Sequence, residues 1–122
     1  MLVLNRKLNQ ALVLAECILI SIAEIKEDQV CLQISVDERT SIEQYRAALV
    51  QLSKTEEGYF DSCETLPEPQ TVSVSYHDPL NLTEHVSIMV LESKDDYVKC
   101  GVQAPDDRLI KRKEVWDFIR RD

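Results

Sequence analysis

Apolar and polar residues alternate in several short stretches of this chain. Val30, Leu32 and Ile34 stand at every second position, which is the period of a strand with one buried face. Residues 98–102 show the same alternation sixty-eight positions later. Polar stretches such as residues 26–29 separate these segments and favour tight hairpin turns. The pattern therefore predicts a mainly β fold.

The alternating segments recur at one fixed offset. A shift of sixty-eight positions carries the apolar positions of residues 18–22 onto those of residues 86–90. The same shift carries residues 12–14 onto residues 80–82, and no gap is needed between the two matches. A single coincidence of strand periodicity would mean little, but several segments in one register indicate an internal duplication.

We therefore predict two repeats, at residues 1–54 and 71–122, joined by an acidic linker at residues 55–70. Gly58 and Pro67 fall within this linker, and both residue types are typical of solvated connections. A module of about fifty residues buries too little surface to offset its chain entropy. Each repeat is therefore expected to need the other in order to fold.

Each repeat is predicted to contain five strands and a closing helix, which gives a mainly β (α+β) fold class. The helices are expected because apolar residues recur at helical spacing, as Ala48, Leu49 and Leu52 do. The first repeat is expected to contain strands at 2–7, 10–15, 17–26, 29–36 and 39–43 and a helix at 44–54. The second is expected to contain strands at 71–76, 79–83, 85–93, 97–103 and 107–111 and a helix at 112–121.

The net charge of −8 is unusual for a nucleic-acid-binding protein, because phosphate contacts favour a basic surface. The charge is unevenly distributed, since residues 51–68 hold one base and five acids and account for half of the net charge. A small basic site elsewhere on the protein is compatible with this distribution. Bases are concentrated near the C-terminus, at Arg108, Lys111, Arg112, Lys113, Arg120 and Arg121.

The four cysteines, Cys17, Cys31, Cys63 and Cys100, are widely separated and include no C-x-x-C pair. Zinc sites need clustered Cys or His ligands, so we expect no metal. Three of the four lie in apolar, strand-like segments, where a thiol behaves as a small hydrophobic group. We therefore expect reduced, structural cysteines.

Enzymatic chemistry is not indicated by the sequence. Gly58 and Gly101 are the only glycines, which excludes a glycine-rich phosphate loop, and His77 and His85 have no nucleophile or metal partner in view. We therefore expect no enzyme activity and no cofactor. No apolar run approaches the ~20 residues of a membrane span. Residues 1–6 lack the pattern of a secretory signal, so a cytoplasmic location is expected.

Motifs at both ends of the chain point to a known family. Residues 1–7, Met-Leu-Val-Leu-Asn-Arg-Lys, place apolar strand residues before two adjacent bases. Residues 101–105, Gly-Val-Gln-Ala-Pro, are followed by Arg112 and then by Glu114 and Val115. These features resemble the opening, the end of the fourth strand, the fifth strand and the helix start of the carbon storage regulator (CsrA/RsmA) family. The resemblance covers nearly all of the chain except the linker.

The resemblance implies an RNA-binding translational repressor. Members of the family form intertwined homodimers in which the first strand of one subunit lies beside the fifth strand of the other. Each such edge forms one site for A-x-GGA sequences, often in hairpin loops that overlap ribosome-binding sites. For this chain it implies two intertwined repeats that form a monomeric pseudo-dimer. Expected partners are single-stranded or hairpin-loop mRNA and a protein antagonist, with no DNA and no membrane partner.

The resemblance assigns one RNA site to the edge that joins the first strand of repeat one to the fifth strand of repeat two. Arg6 and Arg112 match basic positions of the family, and the planar guanidinium of Arg112 suits bidentate contact with a phosphate or a guanine edge. The candidate RNA-binding residues are Leu4, Asn5, Arg6, Lys7, Ala104, Pro105, Arg108, Ile110, Lys111 and Arg112.

The opposite edge is predicted to be inactive. Val74 and Ser75 replace the two adjacent bases there, and Gln44 replaces the arginine. An acidic edge repels a polyanion, so we expect one RNA site rather than two. The residues that make this edge acidic are Asp37, Glu38 and Glu43, and Val36-Asp37 stands in place of the Ala-Pro pair.

Two alternatives remain open at this point. The chain can be a protein-interaction module of the same fold that has lost RNA binding and modulates a partner protein through its acidic surface. The halves can also exchange between chains to form a swapped dimer, because the linker is long enough to permit it.

Overall fold

The computed structural model describes residues 1–53, 57–60 and 63–120. Repeat one contributes strands β1 (Leu2–Lys7), β2 (Ala11–Leu14), β3 (Ile18–Ile25) and β4 (Gln29–Val36) and helix α1 (Ile42–Ser53). Repeat two contributes strands β5 (Gln70–Ser75), β6 (Leu80–Thr83), β7 (Val86–Lys94), β8 (Tyr97–Gln103) and β9 (Ile110–Arg112) and helix α2 (Lys113–Ile119). Short 3₁₀ segments lie at Glu57–Phe60 and Asp107–Leu109. The predicted mainly β fold is confirmed.

The strands form two antiparallel sheets that exchange strands between the repeats. A four-stranded sheet has the order β1-β8-β7-β6, so the first strand of repeat one pairs with repeat two. A five-stranded sheet has the order β5-β4-β3-β2-β9, so the first and last strands of repeat two flank repeat one. The two repeats are therefore intertwined, as expected from the family resemblance.

The two repeats share local irregularities as well as strand order. The β3–β4 ladder is interrupted by a bulge between Ile22 and Glu24, and the β7–β8 ladder by one between Val90 and Glu92. Asn9 and His77 both have a positive φ, at 68° and 65°, in equivalent turns. β-bulges and non-glycine residues with a positive φ are both uncommon, so they seldom recur at equivalent positions by chance. Their recurrence at an offset of sixty-eight positions supports the internal duplication.

One apolar cluster holds the molecule together, and both repeats contribute to it. Leu14 and Leu32 from repeat one and Val90 and Val98 from repeat two are each 0% exposed. Full burial of one such side chain stabilises the fold by roughly 1.5–3 kcal/mol. Since each sheet contains strands of both repeats, separating them would remove pairing and burial together.

One predicted strand of repeat one is absent. Residues 39–43 were expected to be extended, but α1 already begins at Ile42. The Gln44 N–H donates to Ser41 Oγ over 3.1 Å, and the Ser41 N–H donates to Gln44 Oε1 over 2.8 Å. This reciprocal capping box satisfies orphan donors at the helix start and favours helix over strand. Repeat one therefore has four strands, and the prediction of five was wrong.

The fifth strand of repeat two is shorter than predicted. Residues 107–109 form a 3₁₀ turn, in which the Asp106 carboxylate accepts a hydrogen bond from the Arg108 N–H, and only Ile110–Arg112 is extended. Arg112 closes this strand and α2 follows it, whereas the helix was expected to begin at residue 112.

The repeat boundaries at 1–54, 55–70 and 71–122 stay a prediction. Residues 54–56, 61–62 and 121–122 lie outside the described residues, and with them the predicted ends of both helices, part of the linker and Arg121. No helix in the described part of the chain is long and apolar enough to cross a membrane.

Candidate nucleic-acid interface

The predicted site lies where two edge strands of different sheets come together. β1 is the edge of the four-stranded sheet and pairs with β8, while β9 is the edge of the five-stranded sheet and pairs with β2. The two strands belong to different sheets and form no β-ladder with each other. The predicted edge is therefore not one continuous sheet. A side-chain contact links β1 to α2, the helix that follows β9, because Arg6 reaches Glu114 in the first turn of α2.

Arg6 is buried and serves as an internal clamp. The residue is 4% exposed, and its Nη1 lies 2.8 Å from Glu114 Oε1. The same nitrogen donates to the Ala11 carbonyl over 2.9 Å, and Nε donates to the Asn5 carbonyl over 2.8 Å. A buried cation needs such partners, because an unpaired charge is costly to desolvate. Arg6 was expected to contact RNA, but the structure places its guanidinium beneath the surface.

Arg112 and Lys7 are the two candidate bases with free side chains at this edge. Both residues are exposed, and no hydrogen bond or ion pair of either side chain is found within the described residues. Arg112 ends β9 and occupies the N-cap position of α2 without capping it through its side chain. Since Glu114 follows two residues later and is held by Arg6, the backbone at Arg112 is anchored against β1.

The side chains of Arg108 and Lys111 make contacts with neighbouring residues. Arg108 Nη2 lies 2.8 Å from Asp106 Oδ2, and both Arg108 Nε and its backbone N–H donate to the same carboxylate. These hydrogen bonds lower the pKa of Asp106 to about 2. Lys111 Nζ donates to the Arg108 carbonyl over 3.1 Å and lies 5.8 Å from the centre of the Trp116 ring. Their charges are therefore less available to a ligand than that of Arg112.

The remaining candidates divide between the surface and the core. Asn5 is exposed on the outer face of β1, and Pro105 is half-buried. Three others form the apolar support under the edge and are 5–7% exposed: Leu4, Ala104 and Ile110. The ten predicted residues are thus spread over β1, the segment that follows β8, and β9, and only part of the set faces solvent.

Sequence reasoning missed one base at this edge. Lys99 of β8 lies directly opposite Asn5 in the β1–β8 ladder, so the two side chains share the outer face of the sheet. Its side chain is 43% exposed, and its Nζ lies 3.9 Å from Glu92. The alternation of β8 could have marked Lys99 as outward-facing, but the pairing of β8 with β1 is a long-range feature.

A glycine in the same ladder accommodates the N-terminal side chain. Gly101 pairs with Val3, and a Cβ at Gly101 would stand 2.6 Å from Met1 Sδ. Any larger residue would therefore displace the Met1 side chain from the face of β8.

The opposite edge has lost the features that define the first. Val74 occupies the position equivalent to Arg6 and is 7% exposed, and Ser75 is exposed in place of Lys7. Arg46 stands in place of Glu114, and its Nε donates to the Cys63 carbonyl over 2.7 Å. Gln44, the counterpart of Arg112, is held in the capping box of α1. No exposed base corresponds to Arg112 there among the described residues.

A buried acid ties this second edge to the end of α2. Asp37 is 5% exposed, and its Oδ2 lies 2.9 Å from Arg120 Nη1. Its Oδ1 accepts a hydrogen bond from the Arg39 N–H over 3.0 Å. Burial raises the pKa of Asp37, but the Arg39 N–H and the Arg120 guanidinium outweigh burial and hold this pKa below its ordinary value. The carboxylate is therefore charged at neutral pH.

The cysteines are free thiols, and three of them are buried. Burial raises the pKa of Cys17 to about 12 and that of Cys100 to about 11, so neither forms a reactive thiolate at neutral pH. Within the described ranges, no group of three or more His, Cys, Asp or Glu side chains is placed to hold a metal ion.

Comparison with known proteins identifies the family of this chain. The family model for CsrA, described as the global regulator protein family, matches residues 1–52 and 76–121. No curated protein and no solved structure matches the chain. The first matched segment contains β1 to β4 and the second contains β6 to β9, and together they cover most of the sequence. The strand β5 precedes the second match. The chain is therefore a member of the CsrA family that carries two family-like segments in one polypeptide.

Proposed function

We propose that this protein is an RNA-binding post-transcriptional regulator with one functional RNA site, formed by β1, β9 and the start of α2. The observation that carries this proposal is the contrast between the edges. One edge presents the exposed side chains of Lys7 and Arg112, for which no partner is found in the described part of the chain. The other presents Ser75 and Gln44, and Gln44 is held in the capping box of α1. Family membership supports the RNA-binding role in general.

The proposed ligand is a GGA-containing loop in an mRNA leader. Bases in a single-stranded loop are splayed out, so backbone groups and short side chains at a strand edge can read them. β1 is an edge strand, and half of its N–H and C=O groups therefore point away from β8. Arg112 would hold a phosphate or a guanine edge through its planar guanidinium. Arg6 would act indirectly, by fixing β1 against α2.

Binding at this position would repress translation by covering the ribosome-binding site, without any catalytic step or cofactor. The proposed location is the cytoplasm, where mRNA leaders are accessible. About three or four phosphate contacts predict a salt slope of roughly −2 to −3 on single-stranded RNA. A pseudo-dimer with one site cannot bridge two motifs, so it would lack the avidity of a two-site protein.

Calorimetric titration with a short RNA hairpin tests the proposal. The loop carries GGA in one RNA and a scrambled loop in the control RNA. We expect one GGA hairpin per chain, and Arg112→Ala should weaken binding about tenfold or more, since a hydrogen bond to a charged group contributes about 1.5–3 kcal/mol. Arg39→Ala removes an exposed base of repeat one and serves as the matched control. Two hairpins per chain would contradict the inactive second edge, and no binding at low salt would contradict RNA recognition.

The second candidate function is a protein-interaction module that has lost RNA binding. The net charge of −8 and the internal pairing of Arg6 and Arg108 favour it, because both reduce attraction for a polyanion. On this hypothesis the protein acts on a partner, and Arg112→Glu leaves its activity unchanged.

A further inference from the structure

The outer side of β6 is a second place where the repeats differ. In the five-stranded sheet β9 covers the equivalent strand β2, through the pairs Leu12–Arg112, Val13–Lys111 and Leu14–Ile110. β6 pairs with β7 on one side, and no strand of the described chain pairs with its other side. The residues that would supply that strand, 42–44, belong to α1. The sheet therefore ends in an open β6 edge, meaning an edge without a strand partner among the described residues. Helix α1 reaches the end of this edge, where Thr83 Oγ1 donates to the Leu52 carbonyl over 3.5 Å.

The open edge leaves apolar side chains incompletely covered. Leu12 and Leu14 of β2, which pairs with β9, are 1% and 0% exposed. Their counterparts in β6, Leu80 and Leu82, are only half-buried. A groove of about 330 Å³ runs beside β6 and is bounded by α1 and the segment before β5. Its apolar lining includes Tyr45, Leu49, Leu52, Pro67 and Val72. An extended segment that adds to a sheet edge uses such a groove for its alternate side chains.

The other half of the molecule indicates what chemistry fits this edge. There the added strand is Ile-Lys-Arg, with Ile110 5% exposed and directed inward and with Arg112 exposed. The groove beside β6 is lined by Glu68, and the exposed Glu84 follows β6 directly. Both are acids on a chain of net charge −8. Charge complementarity therefore favours a cationic segment.

We propose that the open β6 edge binds an extended cationic segment of a partner protein, which adds antiparallel to β6 and places a branched apolar residue in the groove. The segment replaces in trans the strand that repeat one lacks. The groove contains none of the ten candidate RNA-binding residues, although Asn81 and Glu84 line a neighbouring pocket together with Ala104 and Pro105. The proposal does not depend on RNA binding.

The chain itself supplies a probe and its control. The probe is a synthetic peptide with the sequence of residues 107–113, and the control peptide has the sequence of residues 39–45. These are equivalent segments of the two repeats, with Ile-Lys-Arg at the centre of the first and Ile-Glu-Gln at the centre of the second. NMR titration of the full chain is expected to shift the backbone amides of Leu80–Thr83 with the probe and to leave them unchanged with the control.

Charge reversal at Glu68, which lines the groove, tests the electrostatic part of the proposal. Glu68 is exposed, so Glu68→Lys should leave the fold intact and weaken the probe about threefold, which is the effect expected for one solvated charge contact. GGA hairpin binding by this variant should stay unchanged. Probe-induced shifts confined to residues outside β6 and the groove would overturn the proposal. A concentration-dependent dimer that loses the probe site would also overturn it, because a second copy would then be the occupant.

Discussion

The two sheets of this protein are built from equivalent strands, yet their edges carry different side chains. At the first edge, Arg6 is buried against Glu114 and leaves Arg112 exposed beside β1. At the second edge, Val74 and Arg46 stand in the two positions of that ion pair, and Arg46 turns to the Cys63 carbonyl. The strand ladders survive this change, because the alternation of apolar residues that builds them is the same in both repeats.

The comparison shows that two repeats of one fold can share a core and still differ in their surface residues. Core positions are constrained by packing in both repeats, whereas an edge residue is constrained only by what it binds. Where repeat two has β9, repeat one has the start of α1, capped by Ser41 and Gln44.

Charge reversal at the exposed arginine should have the largest effect. Arg112→Glu places an acid where phosphate is expected, and RNA affinity should fall on the order of a hundredfold, or about 3 kcal/mol. Gln44→Glu is the matched change at the other edge and keeps the capping box, because glutamate serves at that position. It should leave RNA affinity unchanged in the same calorimetric titration. Equal losses in both variants would show that the edges do not differ as proposed.

Removing the internal clamp should lower stability rather than remove a ligand contact. Arg6→Met leaves Glu114 and the Ala11 carbonyl without their partner and should reduce the free energy of unfolding by about 2 kcal/mol. This loss of stability is smaller than the loss expected for a fully buried ion pair, because the Glu114 side chain is 53% exposed. Urea denaturation measures it, with Val74→Met as the control at the equivalent position. An unchanged unfolding midpoint in Arg6→Met would contradict the clamp.

Weakening the capping box should have a smaller effect. Ser41→Ala removes the acceptor for the Gln44 N–H and should cost about 1 kcal/mol of the free energy of unfolding. Ser41→Asp retains a capping side chain and should restore most of the loss. Thermal unfolding followed by circular dichroism measures both variants. A loss of stability in Ser41→Asp as large as that in Ser41→Ala would argue against capping as the cause.

Acidification should produce the smallest difference. The pKa of Asp37 lies below its ordinary value of 3.8, so its ion pair with Arg120 contributes stability that is complete above that value. This contribution is lost as the pH falls through the lowered pKa of the folded state. Asp37→Asn should therefore be less stable than the parent at pH 7 by about 1 kcal/mol or less, and the difference should shrink below about pH 4. A difference that stays constant from pH 7 to pH 2 would contradict this assignment.

The sequence predicted much of the fold because its strands carry a strong local signal. β1, β4 and β8 begin and end at the predicted residues, and the other long strands differ by one or two. The failure at residues 39–43 has a local cause, since a capping box and a short strand compete for the same residues. The surroundings of the site residues could not be predicted in the same way, because Arg6 contacts Glu114, which lies more than one hundred positions away in the sequence.

Two properties of this protein follow directly from its residue order: the duplication and the acidic character of one edge. The duplication rests on short strand patterns that recur at an offset of sixty-eight positions, and the acidic character rests on residues 37–43. Both can be read along the chain without reference to the fold. The tertiary structure alone decided that β1 joins β8, that Lys99 stands opposite Asn5, and that the outer side of β6 has no strand partner among the described residues. Those features depend on which apolar faces bury one another across the two repeats, and burial is a property of the whole core rather than of any single strand.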